Sequence, residues 1–183
     1  MTARSRRTGP DSSDTATGLR HVFRNVPQPV AVVSSLTPSG GPVGMTVSSF
    51  TSVSLQPPLV LFCPAVRSQA WAAARRCGVF AINVLGRRDA ELALRFAGSG
   101  DRFEGVRTHP TYHGIPVLAE AISVLICDVG DEHPAGDHTV VLAHVRAIHE
   151  QYDDAGLDTV SLRAGAGRPH RDLGVRLRAG WHS

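Results

Sequence analysis

Lysine is missing altogether from this chain of 183 residues, and cysteine, methionine and aromatic side chains are scarce. All 19 basic side chains are arginines, set against 16 acidic ones for a formal net charge of +3. Surfaces built for nucleic acid gather their cations on one element. Here Arg75-Arg76 and Arg87-Arg88 are only pairs with acidic residues close by, so no nucleic-acid partner is expected. The three cysteines, Cys63, Cys77 and Cys127, are an odd and widely spaced set with no Cys-x-x-Cys pair, which speaks against a disulfide scaffold or a cysteine zinc site. No apolar run approaches the roughly 20 residues that span a bilayer, so no membrane partner is expected. The N-terminus carries Arg4, Arg6 and Arg7 without the apolar core of a secretory signal, making the cytoplasm the expected compartment.

With 19% charged and 42% hydrophobic residues, the chain reads as one folded domain. Residues 1–17 are small, polar and aperiodic, a disordered leader; residues 18–165 form the domain, and 166–183 a Gly- and Arg-rich tail. Leu19, Val22, Phe23 and Val26 follow the i, i+3, i+4, i+7 spacing of a short amphipathic helix, which Pro27 ends. Residues 30–35 and 43–50 flank a Pro-Ser-Gly-Gly-Pro turn and read as a hairpin. A buried strand follows at 59–63, then a helix over 68–77 with Ser68 as its N-cap and Gly78 as its stop. A strand at 79–85 and a helix at 88–97 come next. Two long strands, 121–129 and 139–148, flank a turn at 130–137, and a last short strand is expected at 158–162. Many strands with short helices, and no Gly-x-Gly-x-x-Gly after a strand, predict a mainly β barrel rather than a doubly wound sheet.

The stretch 45–54 holds six hydroxyl residues in ten and no charge. It is either an exposed polar strand or a neutral surface for a flat heterocycle whose polar edges each need a partner. Downstream, Cys63-Pro64-Ala65-Val66-Arg67-Ser68 joins a strand end to a helix start. Helix N–H groups, the Arg67 charge and the Ser68 hydroxyl there suit a phosphate; alternatively Ser68 only caps and Arg67 is solvated. Of the nine histidines four, His133, His138, His144 and His149, crowd one region, yet His138 and His144 share a strand face that His149 does not, and no ligand spacing is present, so no metal is expected. His138 stands in Gly-Asp-His at a strand start, where it is either a turn residue or a functional one.

Several ordered segments resemble one family. They are Gly44-Met45-Thr46-Val47-Ser48-Ser49-Phe50-Thr51-Ser52-Val53-Ser54-Leu55, Pro57-Pro58-Leu59-Val60, Phe80-Ala81-Ile82-Asn83-Val84-Leu85, Leu94-Arg95-Phe96-Ala97, Asp101-Arg102-Phe103 and Gly136-Asp137-His138-Thr139. Together they are similar to the short-chain flavin reductases, the reductase components of two-component flavin monooxygenases, over residues 18–149. The resemblance implies a mainly β, FMN-binding split barrel of Greek-key-like connectivity, a homodimer with flavin near the subunit boundary. It implies an NAD(P)H:flavin oxidoreductase that reduces FMN (FAD being possible) with NADH or NADPH and supplies reduced flavin by diffusion to a partner monooxygenase. Carried over by motif, Thr46, Val47, Ser48 and Ser49 would contact the isoalloxazine. Ser54 with Cys63, Pro64, Ala65, Arg67 and Ser68 would serve the ribityl chain and phosphate. Asn83 would support the phosphate end, Phe96 would pack as an apolar wall, and His138 would be the catalytic residue, orienting the rings and settling developing charge.

The pattern departs at one place. Where the family closes with Arg-Gly-x-Tyr, this chain has Leu162-Arg163-Ala164-Gly165-Ala166-Gly167-Arg168, without an aromatic. That motivates an alternative, a split-barrel flavin-binding protein with lost or redirected chemistry in a biosynthetic pathway. On residues alone a pyridoxal-phosphate binder also fits a phosphorylated heterocycle.

Overall fold

The structure is a computed structural model that describes residues 12–110 and 114–150. Helix α1 (Ser12–Arg24) starts earlier than the apolar spacing predicts. Strands β1 (Ala31–Leu36) and β2 (Pro42–Val47) make the expected hairpin, followed by β3 (Thr51–Leu55) and β4 (Pro58–Phe62). Helix α2 (Gln69–Cys77), strand β5 (Val79–Val84) and helix α3 (Ala90–Ala97) come next. Two short strands, β6 (Thr108–Pro110) and β7 (Pro116–Leu118), precede the long pair β8 (Ser123–Ala135) and β9 (His138–Glu150). The strand expected at 158–162, the closing segment and the tail lie outside the described residues. Among the described residues, no helix is long and apolar enough to cross a membrane.

Seven strands form one antiparallel sheet in the order β2-β1-β5-β8-β9-β4-β3, and β6 pairs with β7 separately. The two edge strands, β2 and β3, are neighbours in the chain, separated by residues 48–50 only. In a flat sheet the edges would lie about 29 Å apart, six steps of about 4.8 Å. Four Cα–Cα links of about 3.8 Å from Val47 to Thr51 reach about 15 Å at most. The sheet therefore curls until its edges approach.

Curling gives the strands two buried faces, and strand alternation sorts residues between them. Ala31, Val33, Met45, Val47, Val60, Phe62, Phe80, Ile82, Cys127, Val141 and Ala143 meet inside, joined by Trp71 and Ala74 of α2. Trp71 stands edge-on to Phe62 and Phe80 at 5.0 and 5.5 Å between centroids. On the outer face, Val30, Val32, Ala81, Leu85, Val124 and Ile126 pack with Ala93 and Phe96 of α3 and with Val117 and Leu118 of β7. All three cysteines are free, and burial pushes the Cys127 thiol up to about 12.

Two sequence expectations change. The hydroxyl-rich stretch 45–54 is not one strand but the end of β2, a crossing and β3. The turn expected at 130–137 is mostly strand: β8 bulges between Val129 and Glu132 and pairs on to Ala135↔His138. Pro134 is tolerated because β5 ends opposite Asp128, leaving the outer part of β8 a sheet neighbour on one side only. The turn proper is Gly136-Asp137, with Gly136 at φ 66°, a backbone region that glycine enters without steric cost.

Asn83 is wholly buried on the outer face. Its Nδ2 donates to the Val32 carbonyl at 2.9 Å and to Ser34 Oγ at 2.8 Å, and its Oδ1 accepts from the Leu118 N–H at 2.9 Å. Ser34 Oγ in turn donates to the Pro116 carbonyl at 2.6 Å. This closed network clasps β7 onto β1 and β5. Truncating Asn83 strands buried partners at about 1–3 kcal/mol each. Asn83→Ala is expected to lower unfolding free energy by about 3 kcal/mol, measured by urea titration.

Candidate functional site

The crossing at 48–50 lies against the end of β4. Ser49 Oγ accepts from the Cys63 N–H at 2.7 Å, tying the crossing to the first residue after the strand. From there the chain turns into α2 under two constraints. Thr139 N–H donates to the Pro64 carbonyl and Val66 N–H donates to the Asp137 carbonyl, both at 3.0 Å. Ala65 thereby forms a bridge with His138, the first residue of β9. Ser49, the 63–68 turn and His138 are thus gathered from three distant parts of the sequence by bonds to the backbone.

At the start of α2, Ser68 Oγ accepts from the Trp71 N–H at 3.2 Å and lies 3.1 Å from Met45 Sδ. Its hydroxyl is the helix cap that the sequence predicts, and Gly78 ends the helix at φ 81°. The cap takes one donor of the first turn, and the N–H groups of Gln69 and Ala70 have no partner one turn back within the helix. Arg67 beside them is exposed and has no ion-pair or hydrogen-bond partner among the described residues. An unopposed guanidinium at the positive end of a helix dipole fits an anionic group such as a phosphate.

His138 Nδ1 lies 2.8 Å from Asp137 Oδ1, and its side chain is 46% exposed. The hydrogen bond from His138, its charge and, more weakly, Arg20 of α1 hold the Asp137 carboxyl below the usual carboxylate range. An ionised carboxylate only accepts, so Nδ1 carries the proton and Nε2 is the nitrogen turned to other partners.

Other sequence candidates fall away from this cluster, each for a reason in the fold. Thr46 Oγ1 donates to the Ala93 carbonyl of α3 at 2.6 Å, on the outer side of β2. Val47 is 6% exposed and points into the core. Ser54 accepts from the Gln56 N–H at the far end of the β3–β4 hairpin. Four strand residues, about 13 Å, separate that end from Cys63. Asn83 belongs to the buried clasp of β7. Phe96 is 1% exposed, edge-on to Phe103 at 4.9 Å, and lies so near Gly44 that a Cβ there would stand 2.8 Å from its ring. It is core, not a wall open to a ligand. Ser48 remains exposed on the crossing.

Two supporting residues escape a reading by motif. Arg102 donates from Nη1 to the Gly44 carbonyl at 2.6 Å and so braces the free edge of β2. Glu132 accepts from Trp71 Nε1 at 3.0 Å and from Arg75 Nη1 at 3.1 Å. The first lies in the Asp101-Arg102-Phe103 motif, which signals its importance but not its target. The second has no local signal, since its partners are 61 and 57 residues away. Among the described residues, no group of three or more His, Cys, Asp or Glu side chains is placed to hold a metal ion.

The model of the flavin reductase-like domain matches residues 23–161. The chain is 37% identical over 170 residues to the actinorhodin polyketide dimerase of Streptomyces coelicolor, covering 88% of this chain and 96% of that protein. Nitrilotriacetate monooxygenase component B from Mycobacterium thermoresistibile superposes with a TM-score of 0.73 at 32% identity, over 77% of this chain and 79% of that one. The Streptomyces globisporus NADH:FAD oxidoreductase SgcE6, solved with NAD and FAD fragments, gives 0.70 at 35% identity, over 77% of this chain and 85% of that one. A family match across most of the chain and relatives of this identity agree with the mainly β sheet and its few short helices. The chain belongs to the flavin reductase-like domain family.

Proposed function

We propose that this protein passes hydride from NADH or NADPH to FMN or FAD and hands the reduced flavin to a partner monooxygenase. The chain is an oxidoreductase, an NAD(P)H-dependent flavin reductase. The observation that carries the assignment of roles is the backbone ladder that fastens His138 and Asp137 to the 63–68 turn, beside the unopposed Arg67.

When bound, the flavin supplies the hydride-accepting ring, which the protein cannot provide itself. Arg67 and the first-turn N–H groups of α2 would hold the phosphate. The crossing at 48–50 offers the Ser48 hydroxyl and uncharged backbone to the ring. Asp137 fixes the tautomer and orientation of His138, whose Nε2 is left to orient the reacting rings and to meet the charge that develops there. FMN and FAD both carry a phosphate that Arg67 would meet, so this end of the site would accept either.

The curled sheet, with β2 and β3 as approaching edges, supports a split barrel. A homodimer is supported by apolar surface that is otherwise uncovered. Leu19, Val22, Phe23 and Val26 of α1 are 42–60% exposed along one stripe, and Val53 and Leu55 of the β3 edge are 48% and 84% exposed. Apolar stripes of this kind mark interfaces, and the β3 pair lies just after the crossing. We place the protein in the cytoplasm. Likeness to a polyketide dimerase supports a biosynthetic pathway as the setting, and together with the altered 162–168 segment it favours a second reading, a flavin protein whose ring is not reduced by nicotinamide.

Anaerobic mixing of the protein with FMN or FAD and each nicotinamide cofactor decides between them. The oxidised flavin absorbance is expected to bleach only when protein, flavin and NAD(P)H are all present; bleaching no faster than without protein overturns the assignment. His138→Ala is expected to lower kcat/KM about 100-fold, the scale of one preorganised electrostatic group, with flavin affinity changed less than threefold by fluorescence titration.

The Asp137–His138 bond has a pH signature. Because the folded carboxyl is held below its unfolded value, the contribution of the bond is present above the ordinary carboxylate range and is lost as pH falls through the lowered value. Carbon-13 NMR of the Asp137 carboxyl is expected to titrate below that range in the native protein and to move back up into it in His138→Ala.

A further inference from the structure

We infer that Glu132 is a positioning residue that sets the anion-holding end of α2 against His138, and so gives the site its preference for phosphorylated flavin. The inference rests on the flavin reading above. Glu132 lies where β8 resumes its pairing after the bulge, opposite Val141, on the arm that leads six residues later to His138. Its side chain is partly buried, 21% exposed, and a carboxylate there is best placed when both oxygens are bonded. Both are: Oε1 accepts from Trp71 Nε1 and Oε2 from Arg75 Nη1.

Those two donors are four residues apart on α2, one above the other on one face. One carboxylate gripping both fixes the helix along its axis and about it. Trp71 transmits the hold in two directions. Its ring is locked edge-on between Phe62 and Phe80, and its backbone N–H is the one that Ser68 caps. The helix end where Arg67 and the free N–H groups lie is three residues from Trp71, about 4.5 Å along the axis. The loop bonds from Pro64 and Val66 fasten the turn to the arm; Glu132 fastens the helix itself. Without it, α2 keeps its core packing through Trp71 and Ala74 but loses its polar tie to the arm that leads to His138.

The distinguishing property is selectivity between flavins that differ only in the phosphate. The full chain and its variants are titrated with FMN and with riboflavin, following flavin fluorescence, alongside thermal unfolding. For Glu132→Ala, FMN affinity is expected to fall about tenfold, the scale of one charge-assisted hydrogen bond put out of line, with riboflavin affinity within twofold of the parent. Glu132→Gln keeps an acceptor for Trp71 and loses only the half-exposed pair with Arg75, so it is expected to restore FMN binding to within about twofold. Trp71→Phe removes the donor from the other side and is expected to reproduce the selective loss, which carries the test if Glu132→Ala does not fold. Equal weakening of both flavins, or no weakening of either, overturns the positioning role. A parent protein that binds neither flavin overturns the flavin reading and this inference with it.

Discussion

Three residues join the two ends of a seven-stranded sheet, and the rest of the molecule follows from that shortness. A sheet whose edges must meet across so small a gap has an inside and an outside, and both must be filled. The inside takes the aromatic trio of Phe62, Trp71 and Phe80 together with α2; the outside takes α3 and β7. Because the crossing lies against the end of β4, the place where the sheet almost closes is also where the chain turns into α2.

The site inherits its rigidity from main-chain bonds and from short side chains that bond the main chain. Ser49 holds Cys63, Pro64 and Val66 are bonded to the residues on either side of His138, and Ser68 caps its helix. Side chains such as Arg67 and His138 Nε2 are thereby left for a ligand. A preorganised frame with a few uncommitted polar groups is what a redox enzyme requires when its cofactor brings the reactive atoms. Asp137 adds direction, since it decides which nitrogen of His138 faces outward.

Local chemistry made much of the fold legible in the sequence. Ser68 and Gly78 mark both ends of α2, the Pro-Ser-Gly-Gly-Pro turn marks the β1–β2 hairpin, and alternation marks β8 and β9. The break between β2 and β3 was not legible, because Ser48, Ser49 and Phe50 include neither glycine nor proline and the hydroxyl pattern runs on through them. The outer arm of β8 was hidden by Gly130 and Pro134, both turn signals that an edge position tolerates. Within the site, the type of chemistry was readable from Arg67, Ser68 and Gly136-Asp137-His138. The face each residue occupies was not. Thr46 and Asn83 carry the motif but look outward, Phe96 packs onto that same outer face from α3, and which side of a strand is outward is decided by the curl, a property of the whole sheet. The Glu132 contact with Trp71 spans 61 residues and left no local trace.

The Ser48–Phe50 crossing serves two masters, closing the topology and bordering the ligand. An insertion there would loosen the seam and shift the binding floor together, so its length is frozen by two demands that no single compensating substitution can meet. Diversification among such proteins must then be written into stretches relieved of that double duty, such as the exposed β1–β2 turn at 38–40, where added residues lengthen a hairpin without reopening the sheet.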